Sequence, residues 1–238
     1  MAKHSKLKDR KHIISEITSI ISHQLKSPLS GIKSSLELIL AGEVGPLVKQ
    51  QREYLTLTLN QTEKLITLVK NLLDVSRIDE KRMELTIKYA DLVTIVTNVI
   101  DELLPLAQAK NSAISFRAGD HIPHIHIDPI KIHQVVYNII DNAIHYNKGK
   151  GSIDVQLVKK GKYILFSCRD QGIGISKKEA SKIFTKYFRS KQVMDILTDG
   201  TGLGLFISKA IIKKSGGNIW FESKLNKGTV FYFTLPVK

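Results

Sequence analysis

Residues 41–46, Ala-Gly-Glu-Val-Gly-Pro, concentrate glycine and proline in the middle of a long segment with almost no strand signal. Glycine and proline end helices and favour turns. The hexapeptide therefore predicts a turn that joins two long helices within the segment from Lys3 to Arg82.

On both sides of this turn, apolar residues recur in steps of three and four, which keeps them on one face of a helix. In the first helix they are Ile14, Ile17, Ile21, Leu25, Pro28, Ile32, Leu36 and Ile39; in the second they are Leu55, Leu59, Leu65, Val69, Leu72 and Leu73. A single helical hairpin buries too little apolar surface to be stable alone. We therefore expect a homodimer in which two hairpins form a four-helix bundle.

His23 does not follow this apolar pattern. At 100° per residue it falls opposite the stripe, alongside Ser19, Ser30 and Glu37. Pro28 follows about one turn later, and proline inside a helix costs ~3 kcal/mol, so a local kink is expected there. Exposed histidines are common on helices, and that alternative remains open, but a neutral imidazole is also a nucleophile near pH 7.

After residue 82 the pattern changes to alternating helices and strands. Helices are predicted from Asp91 to Lys110, from Asp128 to Tyr146 and around Ala210. Strands are predicted over residues 152–158, 163–169, 218–223 and 229–235, paired by short turns with glycine. The fold class is thus α+β: a helical hairpin over residues 1–82, followed by an α/β sandwich domain over residues 83–238.

Composition limits the other classes of function. The formal charge of +14 is spread along the chain without a nucleic-acid recognition motif. The lone Cys168 lies in an apolar run and is predicted to be buried. His121, His124 and His126 lack the accompanying ligands of a metal site. No apolar run approaches a membrane span of ~20 residues, so we expect a cytoplasmic protein without nucleic-acid or membrane contact from this segment.

Three other stretches suit a phosphate-containing ligand or its metal ion. Asp170-Gln171-Gly172-Ile173-Gly174 follows a predicted strand, and Gly200-Thr201-Gly202-Leu203-Gly204 leads into a helix. Such a glycine-rich helix start offers free amides to phosphate, although glycine-rich turns are often only turns. Asn138 and Asn142 lie one turn apart on a helix, where amide oxygens suit magnesium but capping is an equal alternative.

In order and spacing, these motifs resemble the sensor histidine kinase family along nearly the whole chain. Ser22 to Leu29 is similar to the H-box, and Asn138 to Tyr146 is similar to the N-box. Asp170 to Gly174, Phe184 to Arg189, and Gly200 to Gly204 are similar to the first glycine box, the F-box and the second glycine box.

The resemblance implies the residue roles. His23 would accept phosphate from ATP, Asn142 would hold Mg²⁺ with Asn138 nearby, and His145 would approach the phosphates. Tyr146 would pack on the adenine while Asp170 reads its amino group. Arg189 would reach the terminal phosphate from a mobile lid over residues 176–201. The remaining nucleotide contacts would come from the glycine boxes and the F-box: Gly172, Gly174, Phe188, Gly200, Thr201, Gly202, Leu203 and Gly204.

Two positions near His23 depart from the family pattern. Gln24 stands where the family usually has a carboxylate that accepts the proton, and Ser27 occupies the position associated with phosphatase activity. We expect a slower kinase that autophosphorylates and then phosphorylates an aspartate on the receiver domain of a response regulator. The alternative is a catalytically weakened, nucleotide-binding dimeric scaffold. Either protein is expected in the cytoplasm, alone or as the cytoplasmic part of a longer membrane-attached sensor.

Overall fold

The computed structural model describes residues 2–147, 149–190 and 200–237; the side chains of residues 2–19 and of His23 lie outside the described part as well. The chain divides into two compact units, Met1–Met83 and Glu84–Lys238.

The first unit is a helical hairpin. Helix α1 spans Ala2–Ala41 and continues through Pro28, and helix α2 spans Lys49–Asp79. The predicted turn is confirmed between them. Gly42 and Gly45 there have φ angles of +88° and +114°, in the region that favours glycine.

Two contacts identify the face of α1 that packs against α2. Lys33 Nζ lies 2.7 Å from Glu63 Oε1, and Arg52 Nη1 donates to the Leu40 carbonyl oxygen at 3.0 Å. Ser22 and Leu36 lie on the same face and are buried. Of the predicted apolar stripe, Leu36 is thus buried, whereas Ile21, Leu25 and Ile32 remain 48%, 43% and 47% exposed. The single hairpin thus leaves a continuous apolar surface uncovered.

The second unit is an α+β sandwich. Its helices are α3 (Leu92–Ala109), α4 (Pro129–Tyr146) and α5 (Gly204–Lys214), with a short 3₁₀ helix at Ala180–Lys182. Its strands are β1 (Lys88–Ala90), β2 (Ala113–Ala118), β3 (Ile125–Ile127), β4 (Ser152–Lys160), β5 (Tyr163–Arg169), β6 (Asn218–Ser223) and β7 (Thr229–Pro236).

Five strands form the main sheet in the order β2-β4-β5-β7-β6, and β1 pairs with β3 in a separate small sheet. Strand β2 runs parallel to β4, and the other neighbours in the main sheet are antiparallel. One face of the sheet carries the buried side chains Val155, Phe166, Cys168 and Phe233, against which the helices pack. Burial raises the pKa of the Cys168 thiol, which is 1% exposed, as expected of a core residue.

Capping aspartates fix where two of the helices begin. Asp91 accepts hydrogen bonds from the Val93 and Thr94 amides at the start of α3. Asp128 accepts one from the Lys131 amide at the start of α4 and a second from the Thr86 amide. Both predicted helix starts are confirmed.

Helix α3 is long and apolar enough to cross a membrane by length and composition alone. One of its faces, however, is fully buried in the folded unit at Leu92, Val96, Val99 and Ala107. The same composition is therefore typical of a core helix.

Candidate functional site

Helix α4 places both predicted asparagines on one half-buried face. Asn142 Nδ2 donates to the Asn138 carbonyl oxygen at 2.6 Å and lies 3.5 Å from Asn138 Oδ1. Asn138 Nδ2 in turn donates to Ser208 Oγ of α5 at 3.0 Å. The two amides are therefore held in a network rather than extended into solvent.

The last turn of α4 carries His145 and Tyr146. His145 Nδ1 lies 3.2 Å from Asp141 Oδ1 and 2.9 Å from the Asp141 carbonyl oxygen. The hydrogen bond with the Asp141 carboxylate raises the pKa of His145 above its ordinary value, although burial opposes the shift. Burial raises the pKa of Tyr146, and the nearby positive charge of Arg189 partly offsets that rise.

The first glycine loop packs against the end of α4. Asp170 is 6% exposed, and its Oδ1 accepts hydrogen bonds from the Gly172 amide at 2.8 Å and the Thr229 amide at 3.1 Å. Burial raises the pKa of this carboxyl, although the two amide bonds pull it down. The Ile173 amide donates to the Tyr146 carbonyl oxygen at 3.1 Å. A side chain at Gly172 would overlap that same oxygen, so only glycine allows the approach.

The turn between β6 and β7, which the sequence predicted only as a hairpin connection, supports this loop. The Asn226 amide donates to the Ile173 carbonyl oxygen at 2.7 Å. Ser223 Oγ accepts from the Ile175 amide at 2.8 Å and lies 2.9 Å from Thr229 Oγ1. A side chain at Gly174 would overlap the Lys224 carbonyl oxygen. Ser223 and Thr229 gave no local signal, because both lie within an ordinary amphipathic hairpin.

The second glycine segment lies beside α4 and the predicted F-box. Gly202 has φ +68°, and a side chain there would meet the backbone of Tyr187 and Phe188 at 2.8–3.0 Å. A side chain at Gly204 would overlap Asn138 Oδ1. Leu203 is buried, and its amide donates to Thr201 Oγ1 at 3.3 Å. Gly200 also lies near the Arg189 guanidinium, since a side chain at Gly200 would come within 3.4 Å of Arg189 Nε.

The F-box is tied to α5 by two crossed contacts. Lys209 Nζ lies 5.2 Å from the centre of the Phe184 ring, and Lys186 Nζ lies 5.0 Å from the centre of the Phe206 ring. Residues 191–199, within the predicted lid, lie outside the described residues.

In the second unit, the structure thus brings together the two predicted asparagines, both glycine segments, Asp170, Tyr146 and Arg189.

A cavity of about 250 Å³ lies elsewhere in this unit, and its lining, which includes Gly119, His121 and Lys159, contains none of these residues. Among the described residues, no group of three or more His, Cys, Asp or Glu side chains forms a metal site.

The remaining predicted residues lie in the first unit. His23 is within α1, and its side chain, whose outward direction stays a prediction, lies outside the described residues. Gln24 and Ser27 are exposed on the same helix.

Two family models match the chain. Residues 13–81 match the His Kinase A (phospho-acceptor) domain. Residues 127–238 match the histidine kinase-, DNA gyrase B-, and HSP90-like ATPase family.

Curated relatives and solved structures agree with these models. The chain is 35% identical to the sensor histidine kinase WalK of Bacillus subtilis over 94% of its own length and 36% of that protein. It is 30% identical to the adaptive-response sensory kinase SasA of a Synechococcus strain over 98% of its own length and 62% of that protein. The chain thus spans less than two thirds of both relatives. It also resembles the crystal structure of full-length ShkA in complex with AMPPNP, with a TM-score of 0.73 and 25% sequence identity. This match covers 93% of this chain and 45% of that one.

Proposed function

Because this chain belongs to the sensor histidine kinase family, we propose that it uses ATP to phosphorylate its own His23 and passes the phosphoryl group to an aspartate of a response regulator. One observation carries the proposal: α4, the two glycine segments and Asp170 converge in the unit that matches the ATPase family. In this proposal residues 1–82 dimerise and accept phosphate, and residues 83–238 bind ATP.

The adenine would bind beside Asp170 and Tyr146. Both backbone amides donate to Oδ1 of Asp170, which leaves Oδ2 to accept a hydrogen bond from the adenine amino group. Tyr146 is half-buried next to the loop, and its aromatic ring would stack on the base. The buried carboxylate gives specificity, because a base that lacks the amino group would leave Oδ2 without a donor.

The phosphates would lie along the segment from Gly200 to Gly204, where the N-terminus of α5 offers amides and the positive end of its dipole. Arg189 and His145 would supply positive charge nearby.

The donor set fits Mg²⁺. Asn142 would hold the ion through its amide oxygen with Asn138 behind it, while phosphate oxygens and waters complete the coordination, as Mg²⁺ prefers. When bound, the ion would neutralise part of the phosphate charge.

In the transfer step, a ring nitrogen of His23 attacks the γ-phosphorus. A nitrogen–phosphorus bond forms while the bond from that phosphorus to the β,γ-bridging oxygen breaks, and ADP leaves. The ring proton passes to solvent, because Gln24 has no group that accepts a proton near pH 7. No observation favours the nucleotide-binding scaffold over this kinase.

The uncovered apolar surface of the hairpin supports a homodimer. Besides Ile21, Leu25 and Ile32 of α1, helix α2 exposes Leu57, Leu65 and Leu68 by 58%, 50% and 44%. A second copy of the hairpin would bury both surfaces in a four-helix bundle. We place this part of the protein in the cytoplasm, where ATP and the receiver domain are available.

Incubation of the 238-residue chain with γ-labelled ATP and Mg²⁺ tests the proposal. We expect label on the protein that is labile in acid, absent from His23→Ala, reduced in Asn142→Ala and unchanged in His121→Ala, a histidine outside the site. Acid-stable label, or label that persists in His23→Ala, would overturn it.

A further inference from the structure

Ser208 lies outside the predicted site but is bonded directly to it. The residue is in α5 and is 1% exposed, and its hydroxyl oxygen accepts a hydrogen bond from Asn138 Nδ2 at 3.0 Å. Seventy positions separate the two residues in the sequence. A buried hydroxyl that meets a half-buried amide across two helices restrains both, because the Ser208 hydroxyl has no access to water that could replace its partner.

The hydrogen bonds between these groups run in one direction. Asn142 Nδ2 points toward Asn138 Oδ1 and the Asn138 carbonyl oxygen, and Asn138 Nδ2 donates to Ser208. If the Asn138 amide were flipped, its nitrogen would face the Asn142 nitrogen, so two donors would oppose each other. The Asn142 nitrogen thus sets the orientation in which the Asn138 oxygen faces it, and Ser208, which accepts from Asn138 Nδ2, holds the amide in that plane.

Gly204 shows that the Asn138 oxygen is held in a confined position. A side chain at Gly204 would overlap Asn138 Oδ1, so the start of α5 lies directly against this atom. The oxygen is thus fixed from three sides: Ser208 sets the amide plane, Asn142 sits along the helix, and Gly204 closes the remaining side.

We propose that Ser208 is a positioning residue that fixes the Asn138 amide, so that Asn142 keeps its nitrogen turned inward and its oxygen toward the metal ion of the nucleotide. This rests on the proposed function, because it assumes that Asn142 holds Mg²⁺. Partners behind a metal ligand typically change metal affinity by about 10- to 100-fold when removed.

The test measures binding rather than phosphorylation. AMPPNP is titrated into the full chain by calorimetry, once with Mg²⁺ and once with EDTA. The dissociation constant in EDTA divided by that with Mg²⁺ is the Mg²⁺ advantage. Ser208→Ala is expected to lower this advantage about tenfold while the affinity in EDTA changes little. A purely structural loss would weaken both affinities alike.

Ser215→Ala is the matched control, since that hydroxyl donates to the Ile211 carbonyl oxygen at the other end of α5. If Ser208 acts through Asn138, the double variant Ser208→Ala/Asn138→Ala will show the same Mg²⁺ advantage as Asn138→Ala alone. Ser208→Cys, with a weaker acceptor of similar size, is expected to fall between the native chain and Ser208→Ala, and it replaces the alanine variant if that one does not fold.

An unchanged Mg²⁺ advantage in Ser208→Ala, or additive losses in the double variant, would overturn the inference and leave the proposed function standing. Binding to the native chain without any Mg²⁺ advantage would overturn both the inference and the magnesium role of Asn142. Failure of the native chain to bind AMPPNP at all would instead contradict the proposed function.

Discussion

Replacing Gly172 with alanine tests how tightly the first glycine loop is packed on α4. The added methyl group would overlap the Tyr146 carbonyl oxygen and lie 2.7 Å from its carbonyl carbon and 2.8 Å from Asp170 Oδ1. The carbonyl is part of the backbone and cannot rotate away, so the loop itself must move.

That movement breaks two hydrogen bonds, from the Ile173 amide to the Tyr146 carbonyl oxygen and from the Gly172 amide to Asp170. Each is worth about 1 kcal/mol, and overpacking adds about 1–3 kcal/mol. We therefore expect the free energy of unfolding of the Glu84–Lys238 unit to fall by about 3–5 kcal/mol.

Urea unfolding followed by fluorescence measures this loss in the relevant unit, because Trp220 of β6 is the only tryptophan in the chain. With an m-value of about 2 kcal/mol/M, the midpoint should fall by about 1.5–2.5 M. Gly119→Ala is the control: its methyl group would meet its nearest neighbour at 3.6 Å, an ordinary contact. A Gly172→Ala midpoint equal to that of Gly119→Ala would refute the packing argument.

Four further predictions concern the site and the dimer. Asp170→Asn should weaken ATP binding, measured by calorimetry, about 10- to 100-fold. The two backbone amides keep the side-chain oxygen at the Oδ1 position, so the new NH₂ group faces the adenine amino group, and two donors oppose each other. Unchanged affinity would contradict this. ATP affinity should fall as pH rises through the raised pKa of His145, where the ring loses its positive charge, and His145→Gln should flatten that profile. Gln24→Glu should speed autophosphorylation by about tenfold or more, and an unchanged or lower rate would count against a missing base. Ile32→Glu should yield monomers in light scattering whereas Ser34→Glu should not, because only Ile32 belongs to the uncovered apolar stripe.

Local signals made much of the second unit predictable. Asp91 and Asp128 marked the starts of α3 and α4, and the alternation of apolar residues marked the hairpin strands. Strands β1 and β3 were missed, because three residues are too few to show a period of two. Strand β2 was missed as well, because its partner β4 follows only after helix α4, so no hairpin turn marks the pair in the sequence.

The candidate site was predictable wherever its residue types were unusual for their position. Asparagine and glycine are unfavourable for regular secondary structure, so two asparagines inside a helix and closely spaced glycines after a strand indicate a functional role. Ser208 and Thr229 carry no such signal, since serine and threonine are ordinary in a helix and a strand, and their partners are distant in sequence. On α1 the sequence showed an apolar stripe but not which of its residues α2 covers. The structure makes that distinction: Ser22 and Leu36 are buried, whereas Ile21 and Leu25 stay exposed.

The buried state of Cys168 makes the protein convenient for site-directed labelling. The only thiol of the chain is shielded at the sheet core, and its raised pKa keeps it protonated, so maleimide reagents should leave the native protein unmodified. A cysteine placed at an exposed position such as Ser181 would then react alone, with no need to remove the natural one. Spin labels or fluorophores attached in this way would report on the surroundings of the 3₁₀ helix at Ala180–Lys182.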